Sequence, residues 1–451
     1  MVCSKNTYKN NNFLKEKCYL CYMNKYLNLK NIIVIVIGLN LLLVSNAGLF
    51  ANKILIQMDL SQTNHLKAYG IVYWSLAKGG EWDWLLNYRG GSFMTDFSDE
   101  IARECRIRGI EYQVVSDFDA ETIYQQVQAE GVNMDVVRLE KAPKIAVYVP
   151  HENLPWDDAV RLALEYAEVE YDAIWDMEVL SDTLKNYDWL HLHHEDFTGQ
   201  YGKFYASHAH YDWYKQQVAI NEKMATKMGF AKVSEMKKAV VKKIQEYVVN
   251  GGFLFAMCTA TDTYDITLAA ENVDICDAIF DGDPPDHDCN SKLNFKHTFA
   301  FHNFRVNTNP YERPFSDIDV GINPYNIEPE TDYFTLFEFS AKYDPVPTML
   351  TQNHVNVIKG FLGQTTAFRK DKIKPNVTIL GIKDGTDEVR YIHANVGRGS
   401  YCWYSGHDPE DYQHFLGDPP TDLDMYRSSP GYRLILNNIL FPAAKKKTQK
   451  T

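Results

Sequence analysis

Cys258 stands in the stretch VNGGFLFAMCTATDTYDITLAA, Val249 to Ala270, where an apolar run gives way to a helical pattern. Small residues lie two before and two after it, Ala256 and Ala260. A sharp strand-to-helix turn needs them, because a branched side chain at either flank would strike the neighbouring backbone. Such a turn puts the sulfur at a helix N-terminus, where backbone N–H groups and the macrodipole favour thiolate over thiol. A buried structural cysteine is the plain alternative. Other ionisable residues follow predicted strands: His151 and Glu152; His193, His194, Glu195 and Asp196; and the run Gly406-His407-Asp408-Pro409-Glu410. A cysteine, a histidine and a glutamate delivered by adjacent strand ends suit acyl transfer. His191 and His193, two apart on a strand, share a face and with a carboxylate suit zinc, while His194 points to the other face, nearer Glu195 or His151.

The pattern around these residues predicts the elements that hold them. Gly251 and Gly252 close a helix, Phe253 to Met257 form a buried parallel strand, and a helix follows at once. Upstream, strands at Lys144 to Val149, Tyr171 to Met177 and Asp188 to His193 alternate with helices, including one capped by Ser234 with Met236, Val240, Ile244 and Val248 at every fourth residue. Downstream come strands at Thr378 to Ile382, Val389 to Asn395 and Ser400 to Tyr404, then a helix Gly431 to Leu440 opened by Ser429 and Pro430. Residues 271 to 375, rich in Asp, Asn, Pro and aromatics, read as a long irregular insertion. Residues 52 to 143 read as a smaller α/β unit: a strand from Lys53, a helix to Ala77, Trp82 to Leu86, the turn Arg89-Gly90-Gly91-Ser92, and further helix and strand whose alternation predicts parallel pairing.

The formal charge is −13, and residues 1 to 51 carry six Lys against one Glu, so the remainder is more acidic still. That repels phosphates and argues against nucleic acid. Lys30, the apolar run Ile32 to Val44, and Ser45, Ala47 and Gly48 have the order of a secretory signal peptide, so residues 1 to 51 read as a leader with a start-site extension. A periplasmic or secreted protein with no stable membrane span follows. Export leaves Cys105, Cys258, Cys276, Cys289 and Cys402, an odd count that requires a free thiol. Cys276 and Cys289 flank an irregular loop and are the expected disulfide. The acidic run Asp281 to Asp288 reads as a solvated loop rather than a cation site.

The helix ending in Val-Asn-Gly-Gly, the apolar strand, the cysteine elbow and the later Gly-His-Asp-Pro-Glu resemble the class I glutamine amidotransferase-like superfamily. The Gly406-His407-Asp408 strand end and the closing Ser-Pro-Gly-Tyr helix are most similar to its trehalose-utilisation branch. The resemblance covers residues 144 to 441 less the insertion. It implies a flavodoxin-like doubly wound parallel sheet over 144 to 451, with the N-terminal α/β unit added, in which Cys258 attacks a carboxamide, His407 is its base and Glu410 orients the histidine. The whole chain also resembles exported bacterial proteins labelled asparagine synthetase B. That chemistry is not expected, because the exported chain would begin with no nucleophilic cysteine and carries no Ser-Gly-Gly-Leu-Asp-Ser type ATP loop.

These readings converge on an exported Cys-dependent hydrolase or transferase acting on an amide or ester of a small polar substrate, sugar-containing ones included. His151, Glu152, His194, Glu195 and Thr259 would line the substrate site, and no cofactor is required. The alternatives are a non-catalytic periplasmic binding protein of the same fold and a zinc-dependent hydrolase built on His191 and His193. The mature chain should begin between Gly48 and Asn52, since the small-residue cleavage sites after the apolar run are Ser45 to Ala47 and Phe50-Ala51. Mass spectrometry of the envelope fraction checks this, and an intact N-terminus in the cytosol would refute it.

Overall fold

The computed structural model describes residues 52–152, 158–320 and 329–444. The signal-peptide reading of residues 1–51 therefore lies outside the described residues. From Lys53 onward the chain forms one compact unit of α/β class. Among the described residues, no helix is long and apolar enough to cross a membrane.

Residues 52–139 build a five-stranded sheet, β1 (Asn52–Ile56), β2 (Trp82–Leu86), β3 (Ser92–Asp96), β4 (Gln113–Ser116) and β5 (Asp135–Leu139), in the order β4-β1-β3-β2-β5. The expected parallel pairing is not what forms: β1 with β3, β3 with β2, and β2 with β5 are antiparallel. The reason is local. Arg89, Gly90 and Gly91 all take positive φ, at 46°, 75° and 86°. They fold β2 back on β3 within five residues, too few for the helical crossover that parallel strands require. The helix α1 (His65–Ala77) is capped by Asn64, whose side chain accepts from the Lys67 N–H.

The second sheet has the order β11-β10-β13-β14-β15-β9-β8-β6-β7, with β12 pairing β14. Its strands are β6 (Ile145–Tyr148), β7 (Asp172–Ile174), β8 (Trp189–Leu192), β9 (Phe253–Met257), β10 (Tyr333–Leu336), β11 (Val357–Lys359), β12 (Phe368–Arg369), β13 (Thr378–Ile382), β14 (Glu388–Val396) and β15 (Gly399–Tyr404). From β15 through β9, β8 and β6 to β7 every pair is parallel. Side chains alternate across these strands. Ile145, Val147, Trp189, Phe255, Met257, Cys402 and Tyr404 bury one face under α1, α2 (Ala159–Ala167) and α5 (Pro430–Leu440). Ala146, Tyr148, Leu190, Leu192, Leu254, Ala256, Tyr401 and Trp403 bury the other under α3 (Val233–Val249) and α4 (Thr259–Ala269). The predicted stripe Met236, Val240, Ile244 and Val248 of α3 is fully buried, although Lys232, not Ser234, occupies the N-cap.

The segment 271–375 is less irregular than its composition suggests, since it supplies β10, β11 and β12. Cys276 and Cys289 remain free thiols, against expectation. Their loop is closed by other means: the Asp286 N–H donates to the Asp274 carbonyl at 3.0 Å, and the Lys232 ammonium gathers Asp274, Asp281 and Asp283. The Cys276 thiol donates instead to the Thr198 carbonyl, 3.1 Å away.

Burial makes the fold acid-sensitive. His393 on β14 is 3% exposed, and burial pushes its imidazole down to about 4 although its Nδ1–H donates to the Tyr401 carbonyl at 2.8 Å. An unfolded histidine titrates near 6.5, so between these values only the unfolded chain binds the proton and stability rises with pH. About 2 kcal/mol present at pH 7 should be lost by pH 5 from this residue alone. Urea denaturation of His393→Gln should show a correspondingly shallower loss over that interval. An unchanged slope would contradict the assignment.

Candidate active site

Parallel alignment carries the ends of β8, β9 and β15 to one rim. His191 is level with Phe255, Leu192 with Ala256 and Tyr404 with Met257, so the next residues of all three strands converge. At the centre, Cys258 caps α4 with φ 48° and ψ −137°, a conformation few residues other than glycine adopt. The turn is tied to both neighbours. The Cys258 N–H donates to the Gly406 carbonyl at 3.1 Å, and the Ala260 N–H to the His193 carbonyl at 3.0 Å. The Thr261 hydroxyl closes the first turn of the helix onto the Cys258 carbonyl at 2.6 Å.

Cys258 is 3% exposed. Burial pushes its thiol up, but the hydrogen bond and charge of His407, with the Thr259 hydroxyl 3.6 Å away and the Gln364 backbone N–H, more than offset it and hold the group at about 7. The Gln364 amide comes from the strap Phe361 to Thr366, which lies directly on the β15 end. There the His407 N–H donates to the Leu362 carbonyl at 3.0 Å and the Gly406 N–H to the Thr365 carbonyl at 2.8 Å. A Cβ on Gly363 would lie 2.9 Å from the Gly406 backbone, so only glycine permits this approach. Thr365 also donates to Asp262 in the first turn of α4, at 2.9 Å. Burial raises that carboxyl well above the usual range, so it adds no negative charge beside the sulfur.

The partner of His407 differs from the one expected. Its Nδ1 meets His193 Nε2 at 3.0 Å, and an imidazole nitrogen has a single in-plane direction for a hydrogen bond. Glu410 bonds to Ser429 instead, and burial raises its carboxyl. The role of orienting His407 thus passes from Glu410 to His193. Asp408 fixes this strand end by accepting from the Glu410 N–H at 2.8 Å and from the Thr421 and Tyr432 hydroxyls at 2.7 Å each.

Behind His193 lies Asp158, the N-cap of α2, which sequence reasoning did not single out. Its Oδ1 accepts from the N–H groups of Val160 at 2.8 Å and Arg161 at 3.1 Å and lies 3.3 Å from His191 Nε2 and 3.6 Å from His193 Nδ1. Burial lowers His193 well below the ordinary range, with Asp158 opposing, which leaves a neutral ring. The only sequence signal for Asp158 was a capping residue before a helix.

The remaining expected residues divide. His194 does not turn away from His193 as predicted, because β8 ends at Leu192 and its alternation ends with it. The ligand atoms of His193, His194 and His407 lie within 4.8 Å of one another. Burial raises the Glu195 carboxyl to about 8, with Lys237 opposing. His151 and Glu152 are exposed, and His151 Nε2 lies 3.3 Å from Glu178. The structure brings Cys258, Thr259, His193, His194 and His407 together, whereas His151 is held by Glu178 and Glu410 by Ser429.

No family model and no curated protein matches the chain. Similar solved structures include two cytoplasmic proteins from Salmonella typhimurium, the second from strain LT2. They are 13% and 11% identical, over 67% of this chain and 100% of each of theirs, with TM-scores of 0.33 and 0.31. Exo-beta-1,4-mannosidase Op5Man5 from Opitutaceae bacterium strain TAV5 is 11% identical over 58% of this chain and 31% of that chain, with a TM-score of 0.26. These values assign neither a family nor an activity.

The environment of each thiol predicts its reactivity. With a small alkylating reagent, Cys258 should react with a midpoint near pH 7 and well ahead of Cys105, whose thiol burial pushes up to about 12, and of Cys402, which burial also raises. Peptide mapping after timed labelling checks the order. Slow labelling of Cys258 across the pH range would refute it.

Proposed function

We propose that the protein is a Cys-dependent hydrolase or transferase acting on an amide or ester of a small polar substrate. The observation that carries the reading is Cys258 at a strained turn on a helix N-terminus, hydrogen-bonded to His407 with its thiol held at about 7. The parallel strands support it. Taken in chain order as one to five, β6, β7, β8, β9 and β15 lie in the order 2-1-3-4-5, that of a flavodoxin-like doubly wound sheet, whose ligands bind at the carboxyl ends of the strands. That order and the elbow agree with the glutamine amidotransferase-like resemblance. Export to the periplasm or beyond belongs to the same reading.

In this mechanism the His407 Nδ1–H donates to neutral His193, leaving Nε2 to take the Cys258 proton. The sulfur attacks the carbonyl carbon, and the Thr259 N–H at the head of α4 receives the developing oxyanion. His407 then protonates the departing amine or alcohol. Water, deprotonated by the same imidazole, cleaves the thioester and restores the thiol. His193 positions the base without touching the reacting atoms.

A second reading, a non-catalytic periplasmic binding protein, is favoured by the near-complete burial of the sulfur. Screening small amides and esters separates the two. Cys258→Ser should abolish turnover of any substrate found, and His407→Gln should do the same. Glu410→Gln should leave the rate within a few-fold, because its partner is Ser429. Ligand affinity without turnover, retained in Cys258→Ser, would establish the binding protein. Turnover that survives Cys258→Ser and is lost to chelator would establish a metal hydrolase.

A further inference from the structure

Asp158, His191 and His193 form a buried polar cluster, each no more than 5% exposed. His191 Nδ1 lies 3.1 Å from the Phe255 carbonyl, which can only accept, so Nδ1 carries the proton. Its Nε2 faces an Asp158 oxygen 3.3 Å away. His193 repeats the pattern from the other side, with Nε2 engaged by His407 and Nδ1 aimed at the same carboxylate from 3.6 Å. Neither His191 Nε2 nor His193 Nδ1 makes a hydrogen bond of normal geometry. Burial of such groups is costly unless positive charge lies between them.

We propose that Asp158, His191 and His193 form a binding site for a divalent transition metal of the zinc class. Ligands 2.0–2.1 Å from a tetrahedral zinc lie about 3.3 Å from one another. The separations here, 3.3 Å and 3.6 Å, have that spacing, and the ligand atoms of all three residues fall within 4.8 Å. Both imidazoles are also oriented from behind, as metal ligands are: His191 by the Phe255 carbonyl and His193 by His407, while the Val160 and Arg161 N–H groups fix Asp158 through the same Oδ1. Two imidazoles and a carboxylate select zinc, cobalt or a related ion over magnesium or calcium. A metal on His193 Nδ1 leaves its proton on Nε2, so the hydrogen bond to His407 reverses and His407 then carries its own proton on Nε2, which excludes it as the base of Cys258 while the metal is bound. The site stands whether or not Cys258 is a nucleophile.

The test uses the full chain, stripped by chelator under native conditions, then loaded with zinc alone and desalted. Elemental analysis should find one zinc per chain, and cobalt in its place should give the strong visible bands of four-coordinate geometry. Asp158→Asn, which keeps the helix cap, and His191→Gln should each weaken retention by at least about 100-fold. His287→Ala should leave it unchanged, because that imidazole is 94% exposed and pairs with Asp288 at 2.8 Å. Circular dichroism reports whether each variant folds. If neither buried variant does, the cobalt spectrum of the unaltered protein decides. No retained metal, retention unaffected by folded Asp158→Asn or His191→Gln, retention lost in His287→Ala, or the weak bands of six-coordinate cobalt would overturn the proposal.

Discussion

The structure depends on the turn at Cys258. A central strand, paired in parallel on both sides, must stop and enter a helix within a single residue, and the backbone there takes φ 48° and ψ −137°. Such a conformation costs on the order of 1–3 kcal/mol and persists only where its surroundings determine it. Here they do. The strand end on one side binds the Cys258 N–H through Gly406, and the strand end on the other binds the first helical turn through His193. The bonds that hold the turn therefore also bring the two histidine-bearing ends against the sulfur. Geometry and chemistry have one cause.

Burial then sets protonation. Asp262 and Glu195 are raised, His193 is lowered, and Asp158, although burial opposes it, is held well below the ordinary carboxylate range by its histidine neighbours. Charge beside the sulfur is thereby kept to few groups, and the Cys258 thiol falls because His407 and backbone donors outweigh its own desolvation. The strap from Phe361 to Thr366 completes the enclosure. Its close approach to Gly406 joins the segment 271–375 to the elbow as well as to the sheet edge.

Much of the large sheet was legible in the sequence, because buried parallel strands are short apolar runs and covering helices carry one apolar stripe. Cys258 was legible too, since the small residues around it answer a steric need of the turn itself. The small sheet was misread where the argument required knowing which strands pair. A five-residue connection through Arg89, Gly90 and Gly91 decides antiparallel pairing, and β3 was not recognised behind that turn.

By itself, then, the sequence determined the α/β class, the elbow and the presence of histidines at strand ends, all of which follow from patterns within one segment. Only the tertiary structure decided which groups meet. His407 turns to His193 rather than to Glu410 three residues on, Asp158 enters from a different helix, and the Cys276 thiol turns to the Thr198 carbonyl rather than to Cys289. The physical reason is that proximity along the chain fixes local conformation. Hydrogen-bond partners are chosen by direction across strands, which no single segment encodes.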